Sequence, residues 1–232
     1  MILNKLYEYP TSTRAAINSL RHYSINGSNA KLPSVTTILS QTQSEDKAIS
    51  LQRWRDRVGA AAAAKITNDA ATRGTAMHMY LEKHCLNEGY LDLTPTGTQA
   101  KTMADIVIDR GLSRVDEVYG TEATLYYPDL YAGSVDLVAR LDGEIAIIDF
   151  KQTNKPKQRS WIGDYFLQMA AYGMAHDHIY GTEINKGVIM MCSKDNYYQE
   201  FVIEGEEYRN AKHGFLAKLD QFYKNRPHYS EI

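Results

Sequence analysis

Cysteine is nearly missing: the 232-residue chain holds two, Cys85 and Cys192, far apart and outside any C-x-x-C pair. That pattern offers neither a four-thiolate zinc site nor a disulfide framework. A charge excess is missing too, since 26 Lys and Arg stand against 28 Asp and Glu, for a net charge of −2. This excludes a global pull toward nucleic acid, so any such contact has to come from local basic patches. No apolar run approaches the ~20 residues that a membrane-crossing helix needs, and no membrane partner is expected. The opening "MILNKLYEYPTSTRAAINSLRHYS" lacks the apolar stretch of a secretion signal, and its Arg, Ser and few acids only faintly resemble a transit peptide.

What is present is enough apolar residue, 44%, for one sizeable core, and the simplest organisation is a single domain over residues 1–232. Residues 1–33 read as mixed and turn-rich. Helices are expected near 34–40, 47–65, 68–85 and 99–110, making residues 1–115 mainly helical. Strands are expected near 118–127, 133–140 and 144–151, then a helix over 161–175, a second hairpin within 186–203 and a last helix over 206–224. The fold class is therefore α/β, a mixed central sheet with flanking helices and an N-terminal helical elaboration.

The stretch "GSVDLVARLDGEIAIIDFKQ", residues 133–152, carries the chemistry. Its strict alternation around Asp142-Gly143 predicts a hairpin with a two-residue turn, because that dipeptide tolerates positive φ. If Leu141 pairs with Glu144, then Leu137 faces Ile148, Ala139 faces Ala146, Val135 faces Phe150 and Asp136 faces Asp149. Two carboxylates roughly 5 Å apart destabilise a sheet unless something neutralises them. Asp149 shares its face with Ile145 and Ile147, so the pair should be largely buried and in need of a cation. A hard divalent ion such as Mg²⁺ or Mn²⁺ suits oxygen ligands at that separation, and Lys151, on the same face, can steady charge developing on a phosphate.

D-x12-D-x-K across a hairpin, followed by Gln168 and Tyr172 in "LQMAAY", resembles the PD-(D/E)xK nuclease superfamily, specifically its RecB-like branch. Upstream "GTAMHMYLE", with Gly74, His78 and Glu82 on one helical stripe, and "LPSVTTIL" followed by a Trp/Arg-rich helix are similar to elements of that branch's mitochondrial and bacteriophage exonucleases. One departure is "DFKQT" where many relatives read D-[FW]-K-T, which leaves Gln152 without an assigned role.

The resemblance implies a restriction-endonuclease-like core and a metal-dependent deoxyribonuclease, an exonuclease preferring single-stranded DNA with a free end. A structure-specific or restriction-type endonuclease on the same core and a non-catalytic nucleic-acid-binding protein are the alternatives. Asp136, Asp149 and Lys151 become the catalytic residues, with His78, Asp136, Asp149 and the Phe150 backbone carbonyl as metal ligands. Glu82 and Glu122 would support them, and Gln168 and Tyr172 would hold the DNA backbone. No iron–sulfur cluster is expected, because relatives that carry one use four cysteines. Arg53, Trp54 and Arg57 on the upstream helix, with Lys155, Lys157 and Arg159 in the loop after the active strand, pair cations with an aromatic as a single strand requires. A monomer is expected, in the cytoplasm of a bacterial or phage-infected cell rather than in a mitochondrion. "HDH" at 176–178 is set aside, because its two histidines point to different sides of a helix.

Overall fold

Asp142 and Gly143 make the turn that the alternation demands, with φ of 51° and 84°. The computed structural model, which describes residues 1–28 and 30–226, sets them between strands of a six-stranded mixed sheet. In chain order the elements are β1 (Ile2–Leu3), β2 (Ser12–Ile17), β3 (Leu20–Ile25), β4 (Lys31–Pro33), α1 (Val35–Gln41), α2 (Glu45–Val58) and α3 (Ala60–Cys85). Then follow α4 (Pro95–Arg110), β5 (Val115–Tyr127), β6 (Tyr131–Leu141), β7 (Glu144–Thr153), α5 (Gly163–Tyr180), β8 (Lys186–Ser193), β9 (Tyr198–Glu204) and α6 (Gly205–Lys224). The sheet order is β1-β5-β6-β7-β8-β9, parallel at β1/β5 and β7/β8 and antiparallel elsewhere. This is the α/β arrangement expected from the sequence, a mixed central sheet with flanking helices.

Both faces of the sheet are covered, which is why β7 reads as a nearly continuous apolar run. Ile147 packs with Val35, Phe166, Met169 and Phe215 from α1, α5 and α6. Ala146, Ile148 and Phe150 pack with Met77, Leu81, Met103 and Val107 from α3 and α4. Helix α1 begins where "LPS" predicts, because Ser34 Oγ accepts the Thr37 N–H at 2.9 Å as an N-cap.

Two expectations for the N-terminal part need correction. Residues 1–33 are not only turns: β2, β3 and β4 form a separate three-stranded antiparallel sheet, and β1 joins the main one. The helix expected over 47–65 breaks at Gly59, whose φ of 85° lies outside helical space, and its last residues belong to the 26-residue α3. The alanines at 60–64 favour helix and mask the stop that Gly59 provides after the basic last turn of α2.

Candidate metal centre

Three adjacent strands bring three carboxylates level with one another. Thr121 pairs with Leu137 and Ala123 with Val135, which sets Glu122 of β5 beside Asp136 of β6. The β6/β7 ladder runs from Leu141↔Glu144 to Leu137↔Ile148, as the alternation requires, and Asp136 and Asp149 follow next. There the backbone pairing has ended, so neither the expected Asp136/Asp149 pair nor the Val135/Phe150 pair forms in the ladder. Instead Asp136 Oδ2 accepts the Phe150 N–H at 2.7 Å. A side chain thus replaces a ladder bond where the site begins. Glu122 carries a φ of 45°, a left-handed conformation that costs about 1–3 kcal/mol in a non-glycine residue, and its Oε2 accepts from Ser134 Oγ at 2.8 Å.

Helix α3 supplies the imidazole. Its close approach to β7 depends on Gly74, where a Cβ would stand 3.2 Å from Gln152 Cγ. One helical turn on, His78 Nδ1 lies 3.6 Å from Asp136 Oδ1. His78, Glu122 and Asp136 each offer a ligand atom, all within 4.8 Å of one another. Asp149 is 2% exposed, and its Oδ2 is turned to one cation. Its partner is the Lys151 ammonium, in an ion pair. Imidazole and carboxylate donors within 4.8 Å of one another, with no thiolate among them, fit a hard divalent cation.

The electrostatics agree. Burial raises Asp136 from its ordinary 3.8 to about 6; His78, Lys151 and the Phe150 N–H oppose that rise and Asp149 adds to it. For Lys151, burial works against the charge, but the Asp149 and Asp136 carboxylates outweigh it and hold the ammonium above its usual range. Lys151 is therefore a fixed positive charge rather than a base, and its Nζ also lies 4.9 Å from the centre of the Tyr165 ring. Glu82 is pushed up first by burial and then by the Glu122 charge. His78, Glu82, Glu122, Phe150 and Lys151 line one cleft of about 540 Å³.

The geometry ranks these residues differently from the motifs. Glu122, expected only to support the metal, sits within ligand distance of His78 and Asp136, whereas Asp149 is held by Lys151. Gln168 and Tyr172 are 8% and 3% exposed and hydrogen-bond each other, Nε2 to Oη, at 3.2 Å. They offer little surface to DNA. Burial raises the Tyr172 phenol, and the Asp149 and Asp136 charges add to the rise, so the pair forms the wall behind the acids. Gly133 makes room for that wall, since a Cβ there would lie 2.6 Å from Tyr172 Cε1.

The basic residues divide. Arg53, Trp54 and Arg57 lie on α2, which buries none of its residues. The loop holding Lys155, Lys157 and Arg159, expected to be flexible, is pinned to β9: the Lys157 N–H and C=O bind the Gln199 amide at 2.7 and 2.9 Å. Arg159 pairs with Glu207 and donates to the Val202 C=O at 2.8 Å, so its charge is largely spoken for. Lys155 remains exposed. His176, correctly set aside, is buried, bonded to Thr182 Oγ1 at 2.8 Å, and lowered by burial to about 4.

Two arginines escaped the motif reading. Arg73, on α3 and 6% exposed, donates from Nε to Gln152 Oε1 at 2.9 Å and from Nη2 to Asn154 Oδ1, which gives Gln152 its role. Arg14, on β2, lines the cleft and lies 3.6 Å from Glu122. The β2–β3 hairpin was legible in "STRAAI-NS-LRHYSI", where Asn18 and Ser19 adopt positive φ between two six-residue strands.

No family model matches the chain. Mitochondrial genome maintenance exonuclease 1 of Mus musculus is 30% identical over 212 residues, 80% of this chain and 61% of that protein. The Xenopus tropicalis protein of the same name is 29% identical over 211 residues, 79% of this chain and 59% of its own length. The chain thus spans about three fifths of the curated relatives it matches. Among solved structures, a proposed exonuclease from Eubacterium rectale gives a TM-score of 0.48 at 11% identity over 68% of each chain. An alkaline exonuclease from Laribacter hongkongensis gives 0.32 at 17% identity, over 65% of this chain and 81% of that one. By sequence the chain is similar to mitochondrial genome maintenance exonuclease 1 along about four fifths of its length, and through its D-x12-D-x-K hairpin it resembles the RecB-like branch of the PD-(D/E)xK nucleases.

Proposed function

We propose that the chain is a metal-dependent deoxyribonuclease, an exonuclease that hydrolyses phosphodiester bonds of single-stranded DNA from a free end during replication, recombination or repair. The observation that carries this reading is the His78–Glu122–Asp136 group and the Asp149–Lys151 ion pair, whose His78, Glu122 and Lys151 line one cleft. The exonuclease relatives support it.

His78, Asp136 and Glu122 would hold Mg²⁺ or Mn²⁺, with Asp149 completing the charge around it. Bound there, the ion supplies an activated water and a Lewis acid for the phosphoryl oxygen. Lys151, kept protonated by its two acids, places a positive charge where negative charge develops on the phosphate. Arg73 holds Gln152 and Asn154, and so the strand end that carries Lys151.

The preference for an end rests on α2. Lys47 in its first turn pairs with Asp164 in the first turn of α5, and at Gly59 the chain passes into α3. Helix α2 therefore joins the helix that supplies Tyr165 to the helix that supplies His78, the two that flank the site. A strand passing under such a link has to be threaded. Labelled linear single strands should be digested with Mg²⁺ and spared in chelator, while closed circles of the same sequence and blunt duplexes resist. Circles cut as fast as linear strands would replace the exonuclease reading with an endonuclease one, and no cutting of any substrate would leave a binding protein.

A further inference from the structure

The N-terminal sheet has no part in the site as the motifs describe it, yet one of its side chains lines the cleft. Register sets Arg14 of β2 opposite Tyr23 of β3, whose buried ring centre lies 5.5 Å from the guanidinium carbon. Ser12 Oγ meets Thr124 Oγ1 of β5 at 2.8 Å, and Tyr23, Ile25 and Leu32 pack on Ala132 of β6. The hairpin is thus fastened to the same two strands that carry Glu122 and Asp136, and Arg14 is delivered to the cleft rather than left on a loose arm.

Its charge is not consumed there. Arg14 Nη2 stands 3.6 Å from Glu122 Oε2, beyond hydrogen-bond reach, and its side chain is 54% exposed. Glu122 has a nearer partner in Ser134 Oγ at 2.8 Å. An exposed pair of this kind contributes little to folding. The cleft and its wall hold four carboxylates, Glu82, Glu122, Asp136 and Asp149, against the cations Lys151 and Arg14. A divalent ion at His78, Glu122 and Asp136 would satisfy Glu122 and leave the guanidinium to another anion. A guanidinium's planar fork matches two oxygens of one phosphate.

We propose that Arg14 is a substrate ligand: it binds a backbone phosphate of the single strand beside the one being cut, across the cleft from Lys151. This rests on the nuclease reading of the cleft. Binding of a fluorescent linear oligonucleotide, measured by anisotropy with Ca²⁺ over a range of salt, tests it on the full chain. Arg14→Gln should weaken binding about tenfold. It should also flatten the slope of log affinity against log salt by about 0.7, the contribution of one phosphate contact on a single strand. Arg14→Lys should keep the slope and recover only part of the affinity, because charge is retained and the fork is lost, and the melting temperature should be the same in all three proteins. An Arg14→Gln protein with wild-type affinity and slope overturns the assignment, as does one that loses affinity with the slope unchanged, which would mark a structural effect. A wild-type chain that binds no single strand sinks the nuclease reading itself.

Discussion

β7 and α2 stand at opposite extremes of this molecule. From Ala146 to Phe150 every residue of β7 is buried, whereas α2 buries none of its residues, with Ile49 and Leu51 47% and 42% exposed. β7 is held by neighbours on both sides and both faces. Helix α2 depends on local devices: Ser44 at its N-cap, Glu45 and Asp46 in the first turn, Arg55 and Arg57 in the last. A 14-residue helix that fully buries none of its residues and meets the rest of the chain mainly along α3 and at Lys47–Asp164 is marginal in water, so α2 belongs to the least stable part of the fold. The contrast separates the two demands of the proposed activity. Groups that must meet a scissile phosphate to within a fraction of an ångström sit in the rigid sheet, and groups that meet a variable strand sit where the backbone can yield.

The comparison breaks most plainly at β7 if the chemistry lies elsewhere. Lys151→Ala and Asp149→Asn should each slow cleavage by about a thousandfold while single-strand binding stays largely intact. Wild-type turnover in either variant removes β7 from the mechanism.

Next in size is the strain that β7 and β6 carry without metal. Asp136 in the folded chain is raised to about 6 from 3.8, so its contribution to stability is complete below about pH 4 and is lost as the pH rises through about 6. A two-unit shift corresponds to about 3 kcal/mol. In chelator, Asp136→Asn, which still accepts the Phe150 N–H, should match wild type near pH 4 and exceed it by up to about 3 kcal/mol at pH 7. Mg²⁺ at a hundredfold excess over its Kd should restore about 2.7 kcal/mol to wild type and less to the variant. Denaturant melts across pH, with and without metal, measure both; a variant less stable than wild type at pH 7 without metal contradicts the acid pairing.

At α2 the effects should be on binding and not on folding. Trp54→Ala should lower single-strand affinity by about tenfold, the worth of one stacked base, with the melting temperature unmoved. A drop in melting temperature would show that Trp54 packs in the fold after all. Smallest of all, Ser44→Ala should cost about 1 kcal/mol locally, seen as faster amide exchange confined to α2. Faster exchange across the whole sheet as well would mean that α2 is not an independent element.

The same contrast explains what could be read in advance. The β6–β7 hairpin was legible from its turn as far as Leu137 and Ile148, because period-two alternation and Asp142-Gly143 leave one register, and a one-residue slip would turn every side chain to the wrong face. The helix over 206–224 and the strands around 118–127 and 186–203 were legible for similar reasons of period. Helix α2 was misjudged at its end, since the one local stop signal, Gly59 after the basic last turn, was outweighed by the five alanines that follow it. Within the site, Asp136, Asp149, Lys151 and His78 came from spacing and resemblance. The buried state of Gln168 and Tyr172 did not, because a four-residue step puts two side chains on one face of a helix without saying which way that face looks.

By itself the sequence determined the element types from residue 34 onward, the turn at 142–143 and the strand pairing next to it, from Leu141 opposite Glu144 to Leu137 opposite Ile148. These depend on neighbours a few residues apart, where period and turn chemistry act. Only the tertiary structure decided that Glu122 joins His78 and Asp136, that Arg159 is taken up by Glu207, that Gln152 is held by Arg73 and that Arg14 reaches the cleft. Each of those pairings joins residues that are distant in the chain, and no local pattern encodes which distant charge will arrive; that is settled when both faces of one sheet are buried at once.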